Sequence, residues 1–302
     1  MNLIKGIVPP MVTPLTVDDQ LDVESLEKLI EHLISGGVHG LFILGTTGEG
    51  PSLSYSLREE LIQRVCSQVS GRIPVLVGIT DSAYKEAITI TEKSKEFGAD
   101  AVVMAPPFYF SIDQYELIDY TNQMLDELSL PVFLYNQPAL TKSEFSLEIL
   151  DDLLPRPEII GFKDSSGDLV YFHRLKKMSD SYEVPLYMGP EELLIDALVT
   201  GASGGVPGGA NIFPSLYVNM FNVLRDGDLE QGLELQDKIL SLSEIVYSGS
   251  EYGSSNIING IKTALSIMDI CERHVSRPLK GITKKKAKKI SDFISEKAEE
   301  WV

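Results

Sequence analysis

Residues 131–140 and 159–168 read PVFLYNQPAL and IIGFKDSSGD, and the fold turns on how these two runs are taken. Each opens with a short apolar run rich in β-branched or aromatic residues, breaks at turn-forming residues, and leads into apolar positions spaced three and four apart. That order, strand then turn then helix, is the pattern of a parallel βα unit. Working outward, the same unit recurs at 6–12 (GIVPPMV), 40–44 (GLFIL), 74–78 (PVLVG), 101–105 (AVVMA), 185–189 (PLYMG) and 203–206 (SGGV). With 131–136 and 159–163 these make eight candidate strands. Helical spacing between them is clear, as in Leu26, Leu29, Ile30 and Leu33, or Leu57, Leu61, Val65 and Val69. Eight such units predict a (β/α)8 TIM barrel over residues 1–225, close to the size that fold needs, with an open doubly wound sheet as the alternative. From Asp228 the strand signal stops, and helical patterns at 228–246, 255–270 and 285–301 predict a C-terminal helical appendage over 226–302. It would either cover the barrel or build an oligomer interface.

The chain has 302 residues, 43% hydrophobic and 23% charged, enough for a sizeable core. Its net charge of -18 repels phosphodiesters and anionic membranes, so neither nucleic acid nor membrane is expected as a partner. The basic run KKKAKK (284–289) is read as a solvated start to the last helix. The segment MNLIKGIVPPMVTP lacks a signal-peptide pattern, and nowhere do about 18 apolar residues run together, so a cytoplasmic location is expected. Cys66 and Cys271 are far apart without a CxxC, and His32, His39, His173 and His274 form no HxH or HExxH, so neither disulfide nor metal is expected.

Barrel enzymes place chemistry at the C-terminal ends of the strands. Those ends here are GTTGEG (45–50), PPFYF (106–110), YNQPAL (135–140), KDSSGD (163–168), GPEE (189–192) and GGVPGGAN (204–211). Alternation along the sixth strand predicts Ile159, Gly161 and Lys163 on the inner face, with Gly161 leaving room for the Lys163 stem. Burial disfavours an ammonium and imine formation requires a neutral amine, so Lys163 is either a Schiff-base nucleophile or an ion-pair partner of an acid such as Glu191. Tyr135, on the adjacent strand, is a candidate proton carrier or a core tyrosine. Thr46, Thr47 and Gly48 form a turn with hydroxyls and backbone N–H groups suited to a small carboxylate, or simply a turn. Val206 ends strand eight and Gly208 follows it, where many barrels hold phosphate, although glycine there also serves close packing.

GTTGE, YNQPAL and GFKDSSGD, in this order at these strand ends, resemble the dihydrodipicolinate synthase and N-acetylneuraminate lyase family over nearly the whole chain. The resemblance implies a class I, pyruvate-dependent aldolase or synthase, usually a homotetramer, with no cofactor beyond a covalent imine. It implies that Lys163 forms the imine, that Tyr135 carries protons, and that Thr46 and Thr47 contact the pyruvate carboxylate and help relay protons. Tyr109 matches a tyrosine that the synthases supply from a neighbouring subunit, although Phe108 stands where they often carry a second one. Synthases carry YNVPSRT, and the arginine that grips aspartate semialdehyde is Leu140 here. N-acetylneuraminate lyases are closer at Pro138 to Leu140, at Gly167, Asp168 and Tyr171, and at the acids after strand seven. Those acids, Glu191 and Glu192 following Gly189, are implied to bind sugar hydroxyls. The chain departs from the lyases in reading DSSGD for FTAGD and in placing Gly208 where they use a serine. The expected reaction is cleavage of a 2-keto-3-deoxy sugar acid to pyruvate and an aldehyde. N-acetylneuraminate cleavage, dihydrodipicolinate synthesis, a dehydratase and a catalytically silent keto-acid-binding barrel are the alternatives.

Overall fold

The computed structural model describes residues 4–248 and 255–301. The domain ranges 1–225 and 226–302 therefore include residues 1–3, 249–254 and 302, which lie outside the described residues.

Eight strands appear where the apolar runs predict them: β1 (Gly6–Ile7), β2 (Leu41–Ile43), β3 (Val75–Gly78), β4 (Ala101–Met104), β5 (Val132–Asn136), β6 (Ile159–Asp164), β7 (Leu186–Met188) and β8 (Gly204–Gly205). All pairings are parallel, in the order β1-β8-β7-β6-β5-β4-β3-β2. A parallel bridge between Pro10 and Phe42 joins the two ends, so the sheet closes on itself as a (β/α)8 TIM barrel. The open-sheet alternative is thereby excluded.

The intervening helices are α1 (Val23–Ser35), α2 (Tyr55–Val69), α3 (Tyr84–Glu96), α4 (Gln114–Glu127), the short α5 (Pro138–Thr141) and α6 (Leu147–Leu153), α7 (Leu169–Ser181), α8 (Leu194–Val199) and α9 (Pro214–Arg225). Their starts are written locally. Asp22 accepts from the Ser25 N–H, Ser54 from that of Leu57, and Asp113 with Glu116 forms a capping box. On α1 the apolar stripe Leu26, Leu29, Ile30 and Leu33 is buried against the barrel, each side chain contributing about 1.5–3 kcal/mol of burial.

Two apolar layers result. One fills the space between strands and helices; the other, with Val8, Phe42, Leu76, Val103, Phe133, Tyr135 and Tyr187, fills the barrel. Strict alternation fails on β6. Val132 pairs with Ile159 but Phe133 pairs with Gly161, so Ile160 is an extra residue, a bulge. Ile159 consequently faces the helices, while Gly161 and Lys163 face inward. The space beside Gly161 is not used by the Lys163 stem. A Cβ there would lie 2.2 Å from the Phe133 ring, which occupies it.

After α9 come α10 (Leu229–Tyr247), α11 (Ser255–Ile267) and α12 (Lys284–Trp301). α10 and α11 pack on the short turns Glu191–Leu193 and Gly208–Asn211, so they lie across the C-terminal end of the barrel. Trp301 closes α12 onto the body, edge-on to Phe213 and Phe293. Among the described residues no helix is long and apolar enough to cross a membrane.

Candidate active site

Lys163 is the fifth residue of β6 and is paired in register with Tyr135 of β5. Its side chain is 6% exposed, and Nζ lies 4.0 Å from the centroid of the Tyr135 ring and 5.2 Å from that of Phe42. The two rings meet edge to face at 6.3 Å. Among the described residues Lys163 makes no ion pair. The suggested pairing with Glu191 does not occur, and this buried amine lies instead against the faces of Tyr135 and Phe42.

The strand ends are locked from behind. Asn136 donates to Asp164 at 3.0 Å, and Asp164 also accepts from the backbone and hydroxyl of Ser166. Burial pushes the Asp164 carboxyl upward, against the pull of these donors. Because Asn136 and Asp164 each follow directly on Tyr135 and Lys163, this bond sets the spacing of the two inward side chains.

Above Lys163 lies a cavity of about 200 Å³. Tyr135, Thr46, Thr47, Gly189, Val206 and Gly208 contribute to its walls, and so do Glu191 and Glu192. Nine of the sequence-selected residues, counting Lys163, thus come together in one place. Gly48 stands behind it, its carbonyl accepting from Thr13 at 2.7 Å. Tyr109 lies outside it, 73% exposed, with a backbone φ of 87° that is uncommon for a non-glycine residue. Glycine at 189 fits because a Cβ would sit 2.9 Å from the backbone carbonyl of Asp164 and 1.9 Å from the hydroxyl of Ser165, another wall residue.

Glu191 is placed differently from a ready sugar-binding acid. It is 2% exposed; Oε1 accepts from Tyr217 at 2.6 Å, and Oε2 accepts from the Gly209 N–H at 2.8 Å and from Tyr247 at 2.9 Å. Burial raises its pKa to about 7 despite these donors. The same carboxyl raises the Tyr217 and Tyr247 phenols, after desolvation. Glu192 is exposed at the rim. Gly209 admits this cluster, since its Cβ would fall 2.0 Å from the Tyr217 hydroxyl, and Gly204 lets β8 approach the carbonyl of Gly6. Glycines in GGVPGGAN therefore serve close packing. Asp168 and Tyr171 are also occupied, the first capping α7 and the second donating to Phe145 O at 2.6 Å.

A second cavity of about 280 Å³ opens beside the first and shares Thr46, Tyr135, Gln137 and Ile258 with it. Its other walls are mostly apolar, among them Leu44, Phe108, Leu140 and Leu279. A shallow depression of about 1060 Å³ between α1 and α2 contains no strand end and none of the candidate groups. Among the described residues no cluster of three or more His, Cys, Asp or Glu is placed to hold a metal ion.

Several site residues were not singled out from the sequence. Phe42 was legible only as an apolar strand residue, and Gln137 and Ser165 sit inside quoted motifs without a distinguishing pattern. Tyr247 and Ile258 reach the cavity from the C-terminal helices, for which local sequence carries no signal.

Residues 3–297 match the model of the dihydrodipicolinate synthetase family. A 4-hydroxy-tetrahydrodipicolinate synthase from Methanoculleus marisnigri is 29% identical over 290 residues, covering 95% of this chain and 97% of its own. The Escherichia coli K12 protein named "Putative 2-dehydro-3-deoxy-D-gluconate aldolase YagE" is 31% identical over 279 residues, covering 91% of this chain and 89% of its own. Its structure in complex with pyruvate superposes with a TM-score of 0.91 at 28% identity over 97% of this chain and 98% of that one. A dihydrodipicolinate synthase structure from Bacteroides thetaiotaomicron superposes with a TM-score of 0.93 at 44% identity, over 98% of this chain and all 100% of that one. The chain belongs to the dihydrodipicolinate synthetase family, whose members are class I aldolases and lyases, and it is an enzyme of that class.

Proposed function

We propose that this family member forms a Schiff base between Lys163 and a 2-keto acid and catalyses aldol cleavage of a 2-keto-3-deoxy sugar acid to pyruvate and an aldehyde, or the reverse condensation. The observation that carries the reading is a buried amine with no carboxylate partner among the described residues, set against Tyr135 at a cavity that the Thr46–Thr47 turn helps to line.

The Lys163 amine attacks the C2 carbonyl, Tyr135 moves protons at the carbinolamine oxygen, and water leaves. The resulting cationic imine accepts the C3–C4 electron pair as that bond breaks; the C4 hydroxyl returns a proton to Tyr135, and the fragment from C4 onward departs as the aldehyde. Protonation of the enamine at C3 and addition of water return pyruvate and the free amine. Thr46, Thr47 and their backbone N–H groups hold the carboxylate, which keeps C2 beside Nζ. Tyr109 belongs to a neighbouring protomer's site in this reading, within a homotetramer, and the enzyme works in the cytoplasm.

Charge selects the substrate class. Lys163 is the one cationic side chain among the described residues lining either cavity, and the stretch 249–254, GSEYGS, contains no Lys or Arg. A second carboxylate or a phosphate has no counterion beside Glu192 and Leu140, whereas hydroxyls have Gln137, Ser165, Glu192 and Tyr247 within the same walls. The aldehyde is therefore neutral and polyhydroxylated. Dihydrodipicolinate synthesis is the second reading, favoured by the 44% identity to the Bacteroides thetaiotaomicron enzyme.

Borohydride added with pyruvate should leave a stable mass increase on Lys163. An unmodified native protein, or an equal adduct in Lys163→Ala, rules the imine out. A panel of unphosphorylated, phosphorylated and dicarboxylic keto acids, with pyruvate release as readout, then separates the substrates. Turnover of pyruvate with aspartate semialdehyde above that with neutral hydroxyaldehydes makes the synthase reading the correct one.

A further inference from the structure

The turn that carries Thr46 and Thr47 is flanked by two non-glycine residues in the left-handed region, Leu44 (φ 58°) and Glu49 (φ 58°). Such residues hold only where the surroundings over-determine them. At Leu44 the cause is space. Gly50 and Gly78 lack the Cβ atoms that would lie 2.1 and 2.4 Å from its carbonyl oxygen.

At Glu49 the cause is a buried clasp from the far end of the chain. Its carboxylate is 2% exposed, with Oε1 at 2.5 Å from Lys262 Nζ of α11. Oε2 accepts from the backbone N–H of Ser276 at 2.6 Å and from its hydroxyl at 2.8 Å. Lys262 is fully buried and also donates to the carbonyl of His274 at 2.5 Å. Two segments more than two hundred residues downstream thus grip the last residue of the turn. Within the turn the grip is passed on by backbone bonds, Glu49 N–H to Thr46 O at 3.1 Å and Gly50 N–H to Gly45 O at 3.2 Å.

We infer that Lys262 and Ser276 are positioning residues for the reaction: through Glu49 they hold the Thr46–Thr47 turn in the geometry that receives the substrate carboxylate. The inference rests on the pyruvate-binding reading of that turn. Neither residue lines the Lys163 cavity, and both act through Glu49. A salt bridge of this kind needs both partners, because either charge alone would be stranded in a dry interior. The removal of both together is therefore the informative change.

The test compares the native enzyme with the double variant Glu49→Gln/Lys262→Met. Hydrogen exchange of the Gly45–Gly48 amides should quicken at least tenfold while exchange in β5 and β6 stays unchanged. The pyruvate concentration giving half-maximal borohydride trapping should rise at least tenfold, with the trapping rate at saturation within twofold of native. A merely structural role would not produce that split. Native exchange in the turn overturns the inference, and so does faster exchange with unchanged pyruvate dependence. Absence of any pyruvate adduct in the native enzyme brings down the reading of Lys163 instead, and the exchange rates alone then decide the clasp. Should the double variant not fold, Ser276→Ala, which deletes one donor and no charge, takes its place. Both quantities should then move about threefold, and no movement overturns the inference.

Discussion

Two lysines are buried in this molecule and they are built in opposite ways. Lys262 is fully buried with a carboxylate at 2.5 Å and a backbone carbonyl as second acceptor. Burial pulls its pKa down and Glu49 pulls it back up, so the pair is mutually dependent. Lys163 is almost as buried, yet it lies against the rings of Tyr135 and Phe42 and makes no ion pair among the described residues. The buried ammonium of Lys262 has its counterion, whereas the amine proposed as the nucleophile has none among the described residues. The contrast teaches that burial alone does not distinguish two lysines; their neighbours do.

The comparison breaks first at Lys163. Replacement by alanine should abolish the reducible pyruvate adduct and bring cleavage to background, with stability by urea titration changed by no more than about 1–2 kcal/mol, since Lys163 makes no ion pair among the described residues. A large loss of stability would mean that the two lysines are alike after all.

Lys262→Met should do the reverse. It leaves Glu49 buried and unpaired and should cost about 3–5 kcal/mol in the same titration, more than the Glu49→Gln/Lys262→Met pair costs. Equal losses in the single and double variants would show that the ion pair is incidental. Tyr135→Phe keeps the ring against Lys163 but removes the phenol, and kcat should fall about 10²- to 10⁴-fold with little change in fold. A phenylalanine variant of native activity would leave Tyr135 as packing only.

A third buried charge site is tested through pH. Glu191 has its pKa raised from 4.5 to about 7 by burial. A carboxyl raised on folding favours the native state below its unfolded value and loses that contribution as pH climbs through its folded value. Wild-type stability should therefore decline between pH 4.5 and about 7 by up to about 3 kcal/mol, and Glu191→Gln should flatten that decline. Parallel pH curves for the two proteins would mean that Glu191 stays ionised throughout.

How far the sequence reaches can be judged residue by residue. Apolar periodicity located every strand, because strand and helix periods are properties of neighbouring residues. It also put Lys163 beside Tyr135, since consecutive parallel strands in a barrel are neighbours in space. Strict alternation misplaced Ile159, because the bulge at Ile160 is set by pairing with β5 and has no local signature. Gly161 was legible as a space, but the occupant, Phe133, comes from another strand. Glu191 was legible as an acid at a strand end, while the hydroxyls that occupy its oxygens come from α9 and α10.

The amino-acid sequence by itself determined the barrel, its eight strand ends and the candidate amine, since each depends on local propensity and on the order of units along the chain. Only the tertiary structure decided which charges have partners. Glu49 and Lys262 are 213 positions apart, and nothing in either neighbourhood announces the other. A counterion is a property of distance in space. For that reason the difference between Lys262 and Lys163 became visible only once α11 was laid across the end of the barrel.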